Sequence, residues 1–227
     1  MFASTTAMTA PSTRAKPRPS ESAFRLAPAA LARRLKAGET LFAEGEPSRY
    51  CYEIADGVIK EYSTLEDGTR EISDFYSRGD IVGIGGREEQ TQTAEAVTDC
   101  LVRCISREML LKNARTTPEI STRLMDLLMR RLDRSRERAI LVSRKSASQR
   151  VAAFLRVLAA GEDNAAIFSI PMSRQDIADY LGLTIETVCR TLTEFKRVGA
   201  IAMPSARTFL IRDGAAFAAA EAQERLH

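Results

Sequence analysis

Four side chains in the last quarter of the chain stand at a spacing that can read a chemical surface: Ile185, Glu186, Cys189 and Arg190. On a helix, offsets of 0, 1, 4 and 5 share one stripe, opposite Val188 and Leu192, which then point into a core. Arg190 can donate two hydrogen bonds to guanine O6 and N7, Glu186 can accept from a cytosine N4 amine, and Ile185 can touch a thymine methyl. That is hydrogen-bond recognition in a major groove. Taken alone, Glu186 and Arg190 would be an ordinary i, i+4 ion pair on a solvated helix. The flanking sequence favours base reading.

The elements that must position this stripe are spelled out over residues 173–192. Ser173 can cap a first helix, with Asp176 three residues on completing an approximate capping box. Ala178 lets two helices approach, Gly182 permits a left-handed turn between them, and Thr184 can cap the second helix. Ala178, Gly182 and Val188, at steps of four and six residues, have the spacing of a helix-turn-helix, whose second helix enters the major groove. Ser173, Arg174, Thr184, Thr187 and Lys196 are expected on the DNA backbone. An amphipathic helix over 148–160, a short strand over 167–170 and a strand pair around residues 203–207 complete a winged-helix plan.

Upstream the texture differs. Between residues 24 and 105, eight glycines from Gly38 to Gly86 punctuate short alternating segments such as Thr40-Leu41-Phe42 and Val58-Ile59-Lys60-Glu61-Tyr62, and Asp67-Gly68 signals a hairpin. Many short strands imply a jelly roll or small barrel. From Thr117-Pro118-Glu119 onward the pattern is helical, with Ile120, Leu124, Leu127, Leu128 and Leu132 on an apolar stripe. A helix over 118–143 is ~39 Å long at 1.5 Å per residue. Its stripe is expected to seal against a second copy as a parallel dimer. Arg130, Arg131, Arg134, Arg136 and Arg138 are expected on a solvated outer face. The chain is thus expected to be α+β: a disordered arm over 1–22, an antiparallel β-roll over 23–115, a dimerisation helix over 116–145 and a winged helix-turn-helix over 146–227.

Composition excludes much else. The only histidine among 227 residues is His227, which leaves no imidazole for a catalytic triad, a proton shuttle or a histidine metal site. No enzyme, metal or cofactor is expected. No run of 18 apolar residues exists, so no membrane-spanning helix is expected. Residues 20–115 hold 13 basic and 17 acidic side chains and residues 116–227 hold 17 and 13, a sign change that fits a half meeting a polyanion. Cys51, Cys100, Cys104 and Cys189 form no Cys-x2-Cys pair, and a reduced cytoplasmic protein is expected. Cys100 and Cys104 lie ~13 Å apart if on one strand, too far to share a metal, and both are expected in the core. Cys189 is expected exposed, beside Arg190 and within two turns of a helix N-terminus, a setting that favours oxidation. Either its oxidation lowers DNA affinity or it is simply a small groove contact.

Over residues 24–212 the sequence resembles the CRP/FNR superfamily of bacterial transcription regulators. The likeness rests on 36–46 (KAGETLFAEGE), 64–71 (TLEDGTRE), 79–83 (GDIVG) and the helix-turn-helix. The resemblance implies a β-roll sensor, a dimerisation helix and a DNA-binding winged helix-turn-helix, and a homodimer that recruits RNA polymerase, mainly as an activator. Residues 186–190 (ETVCR) look like the FNR-type reading set with cysteine in place of serine, which implies a palindrome resembling TTGAT, four base pairs, ATCAA. Two departures bear on the effector. Cyclic-nucleotide binders of the family carry Gly-Glu and then an arginine for the cyclic phosphate, where this chain has Gly83-Ile84 and Gln92-Thr93-Ala94. Iron–sulfur members carry N-terminal cysteines, and residues 1–50 hold none. The resemblance is therefore to the FixK-type branch, regulators of microoxic and nitrogen-fixation genes, and implies activity without a small-molecule effector. The alternative is a ligand-gated regulator with an unidentified effector in the roll.

Overall fold

The structure is a computed structural model that describes residues 31–85, 88–144, 146–160, 167–212, 214, 215 and 217. The arm expected over 1–22 and the chain after 217 lie outside the described residues. Eight strands come first: β1 (Ala32–Leu35), β2 (Thr40–Phe42), β3 (Tyr50–Asp56), β4 (Ile59–Thr64), β5 (Arg70–Tyr76), β6 (Ile81–Val82), β7 (Thr93–Ala96) and β8 (Cys100–Ser106). They form two four-stranded antiparallel sheets, β1-β8-β3-β6 and β2-β7-β4-β5. Consecutive strands mostly fall in different sheets, so the chain rolls back and forth across one core. That core holds Leu35, Leu41, Phe42, Ile54, Ile59, Tyr76, Val82, Ala94, Ala96 and Val102.

Tight turns depend on glycine where the backbone demands it. The β4–β5 hairpin closes through Asp67-Gly68, where Asp67 Oδ1 accepts from the Thr69 amide at 2.8 Å and Gly68 has φ +82°. At Gly57, φ is +90° and a Cβ would lie 2.5 Å from the Asp99 carbonyl oxygen and Cys100 Sγ. Only glycine fits there.

After β8 the chain turns directly into a helix that the alternating pattern did not reveal, α1 (Arg107–Thr116), capped by Ser106 and buried only at Leu110. Next comes α2 (Pro118–Arg144), the long helix. The last unit contains α3 (Ala147–Ala160), β9 (Ile167–Ser169), α4 (Arg174–Leu181), α5 (Ile185–Arg197), β10 (Ile201–Ala202) and β11 (Thr208–Ile211). Its strands form the sheet β10-β11-β9, with the wing at residues 203–207 between β10 and β11. Its own core, built on Phe154, Leu155, Ile170, Ile177, Leu181, Val188, Phe195 and Phe209, also takes Val58, Phe75 and Val97 from the roll. The two domains therefore pack against each other.

The five apolar positions expected as one dimer seam are split. Ile120 and Leu127 pack on the cluster of Cys51, Ile81, Ile105 and Leu110 beneath the same chain's roll. Leu124 is half-buried, and only Leu128 and Leu132 are exposed, in company with Met125, Met129 and Ile140. The helix must satisfy two surfaces, and a single stripe read from sequence merges them.

The arginine run also departs from expectation. Arg131 donates to Glu61 at 2.7 Å, Arg134 lies 3.2 Å from Asp74 and 3.7 Å from Asp80, and Arg138 donates to Glu71 at 3.0 Å. These three face the roll rather than solvent. The reason is topological, since β4 and β5 bring Glu61, Glu71 and Asp74 beneath a helix whose positions 131, 134 and 138 share one face.

Candidate nucleic-acid interface

The frame of the helix-turn-helix is set by its caps. Ser173 Oγ accepts from the Asp176 amide at 3.0 Å and Asp176 Oδ2 accepts from the Ser173 amide at 3.0 Å, a full capping box on α4. Gly182 ends α4 in the left-handed conformation, φ 61° and ψ 45°, and its amide donates back to Ala178 O. Thr184 Oγ1 then accepts from the Thr187 amide at 3.3 Å and starts α5. Val188, Thr191, Leu192 and Phe195 anchor the inner face of α5 in the core.

Of the expected reading set, Glu186, Cys189 and Arg190 are exposed on the outer face and Ile185 is half-buried at its start. Among the described residues Glu186 and Arg190 form no ion pair. The Glu186 carboxyl is held below the usual carboxylate range by its own backbone N–H and the Thr184 hydroxyl. The stripe thus offers a carboxylate acceptor, a guanidinium donor and a thiol, all on one turn and a half of helix.

The expected backbone contacts are dispersed. The Ser173 hydroxyl is committed to the cap and donates to Asp176 Oδ2 at 2.6 Å. Arg174 turns under the wing, donates to Ala206 O at 3.0 Å and lies 5.0 Å over the Phe209 ring. Burial there pushes the Arg174 guanidinium down from its ordinary value. Its job in this structure is to brace the wing, because the wing strands fold back over the N-terminus of α4. Thr184 and Thr187 share a hydroxyl contact of 3.1 Å at the N-terminus of α5. Lys196 is exposed at the other end of α5, ~15 Å along the axis from Glu186.

The four cysteines separate sharply. Cys51 is fully buried, and burial pushes its thiol up to about 12. Burial also raises Cys100 and Cys104. Cys104 is half-buried rather than a full core residue. Cys189 alone is exposed. Among the described residues no group of three or more His, Cys, Asp or Glu side chains is placed to hold a metal ion, and no helix is long and apolar enough to cross a membrane.

The roll interior beneath α2 is built around a buried acid. Glu61 accepts from the Tyr76 hydroxyl at 2.7 Å, the Gly83 amide at 3.3 Å and Arg131 at 2.7 Å. Both Arg131 and Arg134 lie 5.4 Å from the centre of the Tyr76 ring. Burial pushes the Asp74 carboxyl up to about 6, against the opposing pull of Arg134. A nucleotide phosphate does not fit this set: Glu61 already takes the Gly83 amide, and Ala94 is buried in the core without a cationic side chain. Sequence reading missed this network because the contacts that Glu61 makes join residues 15, 22 and 70 positions apart, and the charge run in α2 was its only trace.

Comparison with known proteins agrees with the geometry. The profile of the Crp-like helix-turn-helix domain matches residues 149–220, and that of the cyclic nucleotide-binding domain matches 32–116. The nitrogen fixation regulation protein FixK of Azorhizobium caulinodans is 39% identical over 181 residues, covering 78% of this chain and 73% of that protein. The transcriptional activator protein FnrL of Cereibacter sphaeroides is 32% identical, over 80% and 76% of the two chains. The solved structure of FixK2 from Bradyrhizobium japonicum superposes with a TM-score of 0.79 at 32% identity, over 85% of this chain and 98% of that one.

Proposed function

The chain belongs to the CRP/FNR family of transcription regulators, in its FixK-type branch, and from that premise we propose that a homodimer reads a palindrome of the form TTGAT, four base pairs, ATCAA. Proteins of this family are regulators and not enzymes, and this one is a DNA-binding transcription activator. The observation that carries the finer reading is the exposed stripe of Glu186, Cys189 and Arg190 on a helix capped by Thr184 and anchored by Val188, Leu192 and Phe195. Dimerisation through α2 is supported by the exposed apolar run Met125, Leu128, Met129 and Leu132. Bound to its site, the dimer recruits RNA polymerase. The acid-centred network of Glu61 supports activity without a small-molecule effector, because Arg131 of the same chain already supplies the cation that the roll binds.

Fluorescence anisotropy on the palindrome and on a duplex with scrambled half-sites, at one fixed salt concentration, tests this reading. We expect a preference of about a thousandfold or more for reduced, effector-free protein. Equal weak binding to both duplexes would refute it and return attention to a ligand in the roll.

Cys189 adds a redox input. Oxidation of its sulfur to sulfenic or sulfinic acid places bulk and negative charge against the DNA, lowering affinity. The burial of Cys51 and Cys100 and the half-burial of Cys104 support preferential attack there. Peroxide is expected to weaken operator binding by wild type and to spare Cys189→Ser. Equal responses of the two proteins would remove the redox input and leave Cys189 a groove contact only.

A further inference from the structure

The reading unit is held to the rest of the molecule by charge as well as by apolar packing. Lys60 of β4 is 5% exposed, and its Nζ lies 2.7 Å from Asp176 Oδ1 and 3.0 Å from Glu95 Oε1. Asp176, the third residue of α4, completes the capping box with Ser173, so one oxygen accepts from the Ser173 amide while the other accepts from the roll. One turn on, Asp179 faces Arg70 of β5 at 3.7 Å. At the C-terminal end, Arg138 of α2 donates from Nε to Tyr180 O at 3.1 Å and from its terminal nitrogen to Glu71 at 3.0 Å, with its guanidinium 5.4 Å over the Tyr180 ring. Phe75, Phe154 and Tyr180 fill the space between, at centroid distances of 5.2 to 6.4 Å. Helix α4 is thus fixed at its start, middle and end to two other parts of the chain.

An apolar contact of the same area would hold the domains together but would tolerate sliding. A buried lysine between two carboxylates does not, since any shifted docking leaves desolvated charges without partners. The docked arrangement leaves Glu186, Cys189 and Arg190 exposed, so it is compatible with DNA binding. Because α5 follows α4 through the short Gly182 turn, fixing α4 against α2 fixes the reading helix relative to the proposed dimer axis. We propose that Lys60 and Arg138 are positioning residues that set the half-site spacing the dimer accepts. This inference rests on the palindrome-reading homodimer proposed above.

The test is a set of duplexes carrying TTGAT half-sites separated by three, four or five base pairs, with a single half-site and a scrambled duplex as references. Each base pair of spacer moves a half-site by ~3.4 Å and rotates it by about a tenth of a turn. Wild type is expected to prefer the four-base-pair spacer at least about tenfold over either neighbour. Full-length Lys60→Met and Arg138→Met are expected to lose most of that preference while binding the single half-site within about twofold of wild type. Arg138 is the more peripheral of the two, so Arg138→Met decides the matter where Lys60→Met does not fold. Variants as spacing-selective as wild type overturn the inference alone. Equal loss on the single half-site also overturns it, assigning the residues to the integrity of α4. Wild type that binds no palindrome better than the scrambled duplex overturns this inference together with the reading beneath it.

Discussion

Two helices of this protein carry arginines in sequences of similar appearance, and the structure uses them in opposite ways. On α5, Arg190 stands in solvent beside Glu186 without pairing to it, available to a partner outside the chain. On α2, Arg131, Arg134 and Arg138 are taken up by Glu61, Asp74, Asp80 and Glu71 of the same chain. The difference lies in what faces each helix. Core residues back α5 on one side only, whereas α2 has the roll along one face. Ile120, Leu127, Arg131, Arg134 and Arg138 follow one another at steps of seven, four, three and four residues on that roll-facing side. One seam is apolar at its start and cationic at its end.

Removing Arg131 from α2 is expected to have the largest effect. Its partner Glu61 is 3% exposed, so Arg131→Met leaves a buried carboxylate with the Tyr76 hydroxyl and Gly83 amide as its remaining donors. A loss of about 3 kcal/mol in denaturant unfolding is expected, the low end for breaking a buried pair because part of the arginine meets solvent. A solvated arginine would cost under ~0.5 kcal/mol, so a value that small would return the run to the surface.

The same seam has a pH signature. The Asp74 carboxyl is raised by burial to about 6, so the folded state prefers it protonated. Stability from this group is complete below pH ~4 and is lost as pH rises through about 6. Relative to Asp74→Asn, wild type is expected to lose up to about 3 kcal/mol across that interval. Asp176 does not obscure the result. Burial pushes its carboxyl up, but bonds from Lys60 and Ser173 outweigh that and hold it below the usual value, so its contribution is lost only at lower pH. Parallel profiles of the two proteins would show that Asp74 is not desolvated by α2.

On the other helix, Arg190→Ala is expected to leave unfolding unchanged and to lower operator affinity by about 1–3 kcal/mol, or ~5- to 150-fold, with relaxed preference at the guanine it contacts. Stability loss without affinity loss would exchange the roles assigned to the two helices.

What could be read from the sequence follows the same division. The capping box at Ser173 and Asp176, the left-handed Gly182, the cap at Thr184 and the inward Val188 and Leu192 are local rules acting over a few residues, and each appears where its residues place it. The β4–β5 turn at Asp67-Gly68 is of the same kind. By contrast, Lys60 meets Asp176 across 116 residues of chain and Arg131 meets Glu61 across 70, and no periodicity carries such pairings. The second partner of Asp176 was invisible for the same reason, and so was the turn of Arg174 toward Phe209, which depends on how the wing closes. The split of the α2 stripe shows the limit from another side, since a helix packed on two surfaces presents both as one apolar pattern.

The smallest effect separates exposure from affinity within a single residue type. Replacing Cys189 by serine exchanges one small side chain for another on the exposed face of α5, so reduced Cys189→Ser is expected to bind operator within ~0.5 kcal/mol of wild type. The thiols themselves should differ far more than that. A neutral alkylating reagent is expected to label one cysteine per native chain within the time that Cys51 and Cys100, sealed in the roll, wait for unfolding. Cys104, half-buried on β8, should fall between them. Saturating operator should slow the labelling of Cys189 and leave Cys104 unaffected, because only α5 lies at the proposed groove. Equal protection of both would mean that DNA binding tightens the whole molecule, and the division between an outward-facing helix and an inward-facing one would no longer describe how the protein works.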